Sequence, residues 1–292
     1  MKGRNPLGEQ TFRKAIGQEA HRCDVWGVLN ITPDSFSDGG EFLDTDDALA
    51  RGHALVALGA DVVDVGGEST RPGFSSVSVA EERARVVDVV TALCAAGVSV
   101  SIDTVKADVA QACVEAGAHY INDVSCGTSS DLLSVAAASG VALVLMHNRQ
   151  HGTHRDELDR YTSLLDEVRH ELDAAIDRAI QAGVSEARIW IDPGIGFAKN
   201  ASQSAALIAR TDHLVAMGYP VLVGPSRKSF IAHLLPDGSG GPTAADRVGG
   251  TAASVAIAVS KGAKAVRVHD VAVMHQVVRL CEAIKRCGQE LS

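Results

Sequence analysis

The chain has 292 residues, of which 46% are hydrophobic, so it can bury a large core in one domain or in two smaller ones. Its formal net charge of −9 argues against a nucleic-acid or anionic-membrane partner, because binding to such surfaces depends on an excess of Lys and Arg. The six cysteines are scattered, the N-terminus is too polar for a secretory signal and no long apolar run occurs, so we expect a cytoplasmic protein without a disulfide or zinc framework.

One junction recurs along the chain: an Ala-rich, helix-like stretch, then Gly, then a short apolar strand. The junction glycines are Gly59, Gly97, Gly117, Gly140, Gly183, Gly218 and Gly262. Gly just beyond a helix end takes the left-handed conformation that closes the helix, so each junction indicates a helix followed by a strand. The stretch 24–31 adds a strand before the first helix, and 271–288 adds a helix after the last strand. The pattern predicts eight strands alternating with eight helices.

These strands are continuous apolar runs, which is typical of parallel strands covered by helices. Eight such units in about 260 residues fit a single-domain (β/α)8 TIM barrel of the α/β class. A doubly wound open sheet is the alternative, but no glycine-rich dinucleotide fingerprint follows the first strand. We therefore expect a barrel domain at 24–288, an N-terminal arm at 1–23 and a flexible loop at 236–246.

Nearly every predicted strand ends in polar residues, at the end of a barrel where ligand chemistry collects. In chain order they are Asn30, Asp64, Glu68, Asp103, Asn122, Asp123, His147, Asp192, Ser226, Arg227, Lys228, Arg267 and His269. A single Asp at such a place is typical of a helix N-cap, and we assign that role to Asp123 and Asp270. The whole set needs another explanation, because inward-facing charges at one barrel mouth are costly without a ligand that pairs with them.

The kinds of group indicate the ligand. Asp103, Asn122 and Asp192 are acceptors, and Lys228 adds a cation. Carboxylate oxygens can accept from a ring N–H and an exocyclic NH₂, while a lysine donates to a carbonyl. The set therefore suits a flat heterocycle with an amino-pyrimidinone edge.

Arg267 and His269 lie two residues apart on the last strand, so their side chains share a face. Asn30, on the first strand, becomes their neighbour when the barrel closes. Arg binds phosphate through a planar fork and also stacks on flat rings. We expect a phosphate or diphosphate here, beside the heterocycle.

Short motifs at the strand ends also carry a family resemblance. They are GVLNITPDSFSDGG (27–40), DVGGESTRPG (64–73), SIDT (101–104), IND (121–123), MHNR (146–149), DPGIGFAK (192–199), GPSRKSFI (224–231) and RVHD (267–270). In these residues the chain resembles the dihydropteroate synthase family. The resemblance implies a transferase of folate biosynthesis that joins 6-hydroxymethyl-7,8-dihydropterin diphosphate to p-aminobenzoate and releases diphosphate. It also implies Mg²⁺, a homodimer and competition by sulfonamides, which mimic p-aminobenzoate.

The resemblance assigns roles to residues. The implied pterin contacts are Asp103, Asn122, Val124, Met146, Asp192, Phe197, Gly224, Lys228 and Arg267. Asn30, Arg267 and His269 are expected at the diphosphate, with Asn30 also at Mg²⁺. The implied p-aminobenzoate contacts are Phe36, Thr70, Arg71, Pro72 and Ser229. Asp38 is expected to stabilise a developing cation, and it joins Lys228, Arg267 and His269 in the implied catalytic set.

We expect the bond to diphosphate to break first and the neutral arylamine then to attack without a general base. Three rival functions remain open. A methyltransferase that uses methyltetrahydrofolate and a corrinoid would share the barrel and the pterin-holding set, but would not be expected to need the SRKS, ESTRPG and RVHD motifs. A non-catalytic pterin-binding paralogue should have eroded loops, and a sugar-phosphate enzyme fits the acidic ring poorly.

Overall fold

The computed structural model describes residues 22–32, 45–68, 76–149, 159–235 and 241–290. In chain order the strands of these ranges are β1 (Asp24–Asn30), β2 (Val62–Gly66), β3 (Val100–Asp103), β4 (Tyr120–Asp123), β5 (Ala142–Met146), β6 (Ile189–Asp192), β7 (Leu222–Val223) and β8 (Ala265–Val268). All neighbours pair in parallel, in the order β6-β5-β4-β3-β2-β1-β8-β7.

A single bridge between β6 and β7 closes this sheet. Ile191 pairs with Val221, and its N–H donates to the carbonyl oxygen of Pro220 over 3.0 Å. The predicted (β/α)8 barrel is therefore confirmed, and the open-sheet alternative is wrong.

Helices surround the barrel. Within the described ranges the α-helices are α1 (Thr45–Ala57), α2 (Val79–Ala95), α3 (Ala107–Glu115), α4 (Ser130–Ser139), α5 (Leu164–Gln181), α6 (Ala201–Ala209), α7 (Thr211–Val215), α8 (Ser229–Leu234), α9 (Val248–Ser260) and α10 (Val271–Glu290). None of these combines the length and the apolar character that a membrane span requires.

The prediction of one helix per unit is wrong in two units. The sixth unit carries α6 and α7, which meet at Arg210, where φ is −114° and ψ is 31°. The hydroxyl of Thr211 donates to the Ile208 carbonyl over 2.9 Å, so a side chain satisfies one of the carbonyls at the end of α6. In the seventh unit, α8 ends at Leu234 and α9 begins at Val248. Of the loop expected at 236–246, residues 236–240 lie outside the described residues, and a 3-10 helix at Ala245–Arg247 covers its end.

The junction glycines behave as predicted. All seven have φ between 69° and 107°, the left-handed region that side chains rarely adopt. Gly140, for example, ends α4 with φ 69° and ψ 16°, and its N–H donates to Ala136 over 3.1 Å. The seven helix-to-strand transitions are therefore confirmed.

The hydrophobic core has two layers. The larger layer lies between the strands and the helices and includes Val266 and Val268. The smaller one fills the barrel interior around Trp26, Tyr120 and Trp190, where the Trp26 and Tyr120 ring centroids are 4.8 Å apart. Ala265 belongs to the interior layer, so alternation along β8 directs Arg267 into the barrel above it.

Candidate active site

The carboxyl ends of the strands bring the predicted acceptors to one rim. Asp103 pairs in register with Gly66 on one side and with Asn122 on the other, while Asp192 pairs with Met146. Each of these positions is on the inward face of its strand. The three predicted acceptors are all buried, with exposed fractions of 8% or less.

Arg267 crosses the barrel mouth and binds two carboxylates. Its Nε donates to Asp64 Oδ2 over 2.5 Å, and one terminal nitrogen donates to Asp103 Oδ2 over 2.7 Å. The expectation that only a ligand could pair with the inward charges is therefore wrong. Burial of Arg267 is compensated within the chain, by the fully buried Asp64 above all.

Acceptor atoms remain free at this rim. Asp64 Oδ1, Asp103 Oδ1 and Asn122 Oδ1 are buried and have no hydrogen-bond partner among the described residues. Buried polar atoms are nearly always hydrogen-bonded in native proteins, because an unpaired one costs about 1–3 kcal/mol. This concentration of unpaired oxygens on adjacent strands suits a ligand that presents several N–H donors.

Lys228 lies on the other side of the mouth. Its Nζ donates to the Ile195 carbonyl and lies 4.6 Å from the centroid of the Phe197 ring. Gly224 leaves the space between the charges open: a Cβ there would lie 3.9 Å from Lys228 Nζ and 4.0 Å from Asp192 Oδ2. The predicted pterin residues from β6, β7 and β8 therefore border one space.

Burial shifts the ionisation of these groups toward neutrality. It raises the pKa of Asp103 to about 7, against the opposing pull of the Arg267 guanidinium. It also raises the pKa of Asp192, which the Lys228 ammonium opposes. Burial lowers the pKa of Lys228 to about 8, with Asp192 as the main opposing charge. The site is polar but poorly hydrated, which strengthens hydrogen bonds to a bound ring.

The predicted anion residues flank Arg267. His269 Nδ1 lies 2.9 Å from the hydroxyl of the buried Ser226, and its backbone N–H donates to the same oxygen over 3.1 Å. Asn30 ends β1, and a Cβ on Gly66 would lie 3.6 Å both from Asn30 Oδ1 and from the Asp103 side chain. Ser226 thus orients His269, a role that the sequence analysis did not assign.

A buried polar network supports the loop after β6. His147 is fully buried, and its Nε2 lies 3.0 Å from Glu171 Oε2. Lys199 Nζ lies 2.9 Å from His147 Nδ1 and donates to the Phe197 carbonyl over 2.8 Å. Burial lowers the pKa of Lys199 to about 7, against the charge of Asp192. Sequence reasoning missed Lys199, because nothing in a predicted loop indicates that its lysine is buried.

The remaining predicted residues have mixed outcomes. Asp123 accepts from the backbone N–H groups of Ser125 and Gly127 in the loop before α4, and the helix cap assigned to it is wrong, because Ser129 caps that helix. Asp270 lies at the predicted cap position directly before α10, where its carbonyl accepts from the Met274 N–H over 3.0 Å, and its carboxylate pairs with Arg227. Val124 directly follows Asp123 at the end of β4, and its backbone carbonyl accepts from the side-chain amide of Asn148 over 3.1 Å. Ser229 begins α8 and is exposed. Phe36, Asp38, Thr70, Arg71 and Pro72 lie outside the described residues.

Comparison with known proteins agrees with this geometry. Residues 26–269 match the family described as "Pterin binding enzyme". The chain is 45% identical to dihydropteroate synthase from Mycobacterium leprae over 270 residues, which cover 91% of this chain and 95% of that protein.

Solved structures of dihydropteroate synthases are similar to this chain over about nine-tenths of its length. The dihydropteroate synthase of Xanthomonas albilineans with 4-aminobenzoic acid has a TM-score of 0.83 and 39% identity, over 90% of this chain and 93% of that one. The Yersinia pestis dihydropteroate synthase in a sulfonamide drug complex has a TM-score of 0.81 and 38% identity, over 91% and 95% of the two chains. The chain belongs to the dihydropteroate synthase family of pterin-binding enzymes.

Proposed function

We propose that this protein condenses 6-hydroxymethyl-7,8-dihydropterin diphosphate with p-aminobenzoate to give 7,8-dihydropteroate and diphosphate. The observation that carries the proposal is the row of buried oxygens on Asp64, Asp103 and Asn122 that have no partner within the described ranges, faced by Lys228 across the mouth. The pterin ring offers ring N–H and amino donors to such oxygens and a carbonyl to a lysine. Its two faces would contact Met146, Val124 and Phe197.

In the first step the C–O bond between the pterin methylene carbon and the diphosphate breaks, and the electron pair leaves with the diphosphate oxygen. Arg267 and His269 stabilise the charge that grows on this leaving group, since both are preorganised by buried partners. Arg267 has a raised pKa despite its burial, because Asp64 and Asp103 favour its charged form. It therefore stays cationic throughout the reaction.

In the second step the arylamine nitrogen attacks the methylene carbon, and the proton that it loses goes to water. A neutral aromatic amine is nucleophilic, so orientation supplies the remaining acceleration. Asp38 would stabilise the cation, and the amine would be held by Phe36, Thr70, Arg71, Pro72 and Ser229. Sulfonamides would compete at the same place.

Mg²⁺ is part of the proposal. In the described ranges, no cluster of three or more His, Cys, Asp or Glu side chains could hold a metal by itself. Mg²⁺ usually takes few protein ligands beside substrate phosphates and water, so the single oxygen of Asn30, next to the open space at Gly66, fits an ion that arrives with the diphosphate. When bound, it would offset the charge of the leaving group.

The test is a product assay with purified protein, the pterin diphosphate, p-aminobenzoate and Mg²⁺. We expect dihydropteroate and diphosphate in equal amounts, and Arg267→Ala should reduce the rate about 1000-fold because the leaving group loses its main charge partner. Arg169→Ala, which removes an exposed arginine paired with Asp173, is the matched control and should leave the rate unchanged. Pterin binding without diphosphate release would instead support a binding paralogue, or a methyltransferase if methyltetrahydrofolate also binds.

The proposal extends to assembly and location. We infer a homodimer, supported by an exposed apolar stripe on α10 formed by Val273, Leu280 and Ile284, and by the exposed Ile257 on the neighbouring helix α9. Their exposed fractions are 44%, 62%, 62% and 43%, which are high for large apolar side chains. A cytoplasmic location remains part of the proposal, and fractionation of expressing cells would test it.

A further inference from the structure

One buried cation has no part in the proposed mechanism. Lys199 lies in the loop 193–200 after β6 and is only 9% exposed. Its Nζ lies 2.9 Å from His147 Nδ1 and donates to the Phe197 carbonyl over 2.8 Å. An imidazole nitrogen and a carbonyl oxygen are neutral acceptors, so within the described ranges no ion pair at hydrogen-bond distance compensates the burial of this lysine. Burying an ammonium in this way is costly, which indicates that the lysine has a function.

Two contacts make His147 an acceptor for this lysine. Its backbone N–H donates to the Asp192 carbonyl over 2.8 Å, which fixes the end of β5 against β6. Its Nε2 lies 3.0 Å from Glu171 Oε2, and the same carboxylate accepts from Arg149 Nε over 2.9 Å. A carboxylate paired with an arginine is ionised and can only accept. The imidazole proton therefore lies on Nε2, and Nδ1 accepts from Lys199.

Lys199 holds the loop at a point where the backbone is strained. The Phe197 carbonyl that it binds directly precedes Ala198, whose φ of 49° lies in the left-handed region that side chains rarely adopt. The Ala198 carbonyl accepts from the hydroxyl of Tyr161 over 3.0 Å. Two side chains thus hold two consecutive carbonyls of the loop, and both contacts oppose relaxation of the strained residue.

The same loop borders the space between the charges of the barrel mouth. The Ile195 carbonyl accepts from Lys228 Nζ, and a Cβ on Gly196 would lie 3.2 Å from Lys228 Cδ. The centroid of the Phe197 ring lies 4.6 Å from Lys228 Nζ. A shift of the Phe197 carbonyl would therefore move this ring relative to Lys228, on the side of the mouth where we place the pterin.

We propose that Lys199 is a positioning residue that sets the affinity of the protein for the pterin substrate by holding the Phe197 ring in place. This inference rests on the proposed function, in which that ring contacts the pterin. Lys199 acts through the carbonyl of Phe197 and contacts neither substrate. Arg267 and His269 have buried partners of their own and do not depend on the loop for their orientation. Lys199 therefore contributes to binding and not to bond breaking.

The test compares Lys199→Met with the wild type. Methionine is an apolar side chain of similar length, so it fills the same space without a buried charge and the fold should persist. We expect the Kd for the pterin diphosphate, measured by calorimetry, to rise about tenfold, because a hydrogen bond from a charged group is lost. The kcat at saturating substrates should change less than about twofold. Lys261→Met, at an exposed lysine, is the matched control and should change neither constant.

A double-mutant cycle tests whether Lys199 acts through the ring. Phe197→Ala removes the ring but keeps the carbonyl that Lys199 binds. In this background Lys199→Met should raise the Kd less than about threefold, because no ring remains to be positioned. An unchanged Kd for Lys199→Met alone, a fall in kcat as large as the loss of affinity, or a full tenfold loss in both backgrounds would overturn the positioning role.

The tautomer of His147 gives a readout that needs neither turnover nor a change at Lys199. Long-range ¹H–¹⁵N NMR correlations of the wild type at pH 7 should show a neutral ring with its proton on Nε2, assigned by its absence in His147→Asn. Burial lowers the pKa of His147 and favours this neutral form. A proton on Nδ1 would overturn the proposal, since the ring would then offer Lys199 no acceptor. A wild type that binds no pterin diphosphate contradicts the proposed function instead, and the tautomer then still decides whether Lys199 is anchored at this ring.

Discussion

Lys228 is held in the barrel mouth at a cost to stability. Burial lowers its pKa from 10.5 to about 8, even with the attraction of Asp192 included. At pH 7 the ammonium is the main form in both the folded and the unfolded chain, so the folded chain bears the full penalty of keeping it charged. Above pH 10.5 neither state holds the proton, and the penalty disappears.

We therefore expect Lys228→Met to raise the free energy of unfolding at pH 7 by about 2 kcal/mol and to weaken binding of the pterin diphosphate strongly. The stability gain should shrink as the pH rises from about 8 toward 10.5. Urea unfolding of both proteins at pH 7 and at about pH 10, without added pterin, measures this difference in stability. Lys261→Met, at an exposed lysine 3.9 Å from Asp212, should change stability little at either pH. A less stable Lys228→Met protein at pH 7 would contradict the argument.

Individual site residues differ in how far the sequence could reveal them. The polar residue at the end of a buried strand is a strong pattern, and it identifies Asp103, Asn122 and Asp192. The pairing of Arg267 with Asp64 is invisible in that pattern, because β2 and β8 are far apart in the chain and come near each other only by pairing with the two sides of β1. The burial of Lys199 is equally hidden, since loop residues give no periodicity from which to infer exposure.

The loop after β6 depends on one glycine. Gly194 has φ 65°, and a Cβ there would lie 2.0 Å from the backbone oxygen of His147. Its N–H donates to Asp192 Oδ1 over 2.7 Å, so Gly194 also orients the Asp192 carboxylate, which is proposed to bind the pterin. The loop after β6 therefore needs glycine at position 194 both for its backbone conformation and for its packing against the end of β5.

We expect Gly194→Ala to lower the free energy of unfolding by about 3 kcal/mol, the sum of left-handed strain and a clash with the backbone, and to weaken pterin binding. Gly97→Ala separates the two causes: its φ is 80°, but a Cβ there has nothing within 4 Å, so only about 1 kcal/mol should be lost. Urea unfolding and calorimetry on both variants provide the measurement. Equal losses of stability would show that the clash contributes nothing.

At the scale of the molecule, local sequence signals were sufficient for the barrel because each unit repeats one transition. A glycine that closes a helix before an apolar strand has a local physical cause, and it is visible seven times. The break at Arg210 and the second helix of the seventh unit had no such signal. The closure of the sheet by one bridge at Ile191 is likewise a tertiary event, which follows from eight twisted strands and not from any residue pattern.

The apolar stripe on α10 leads to a prediction for the whole assembly. Val273, Leu280 and Ile284 are spaced by seven and four residues, so they lie on one helix face, and the neighbouring helix α9 adds the exposed apolar side chain of Ile257. A stable dimer buries about 800 Å² on each partner around a desolvated apolar centre. Lysines at the centre of this face would have to lose their hydration for the two copies to meet.

We expect the wild type to sediment as a dimer at micromolar concentration and the double variant Leu280→Lys, Ile284→Lys to dissociate at least about 100-fold more readily. Ile180→Lys, on α5, has a wild-type side chain that is 40% exposed and serves as the control that should stay dimeric. Sedimentation equilibrium over a range of concentrations measures both. Since the barrel mouth lies wholly within one chain in the described residues, the monomeric variant should keep its pterin affinity. A double variant that remains dimeric would show that this stripe is not the interface, and one that loses pterin binding would show that the second copy supports the site.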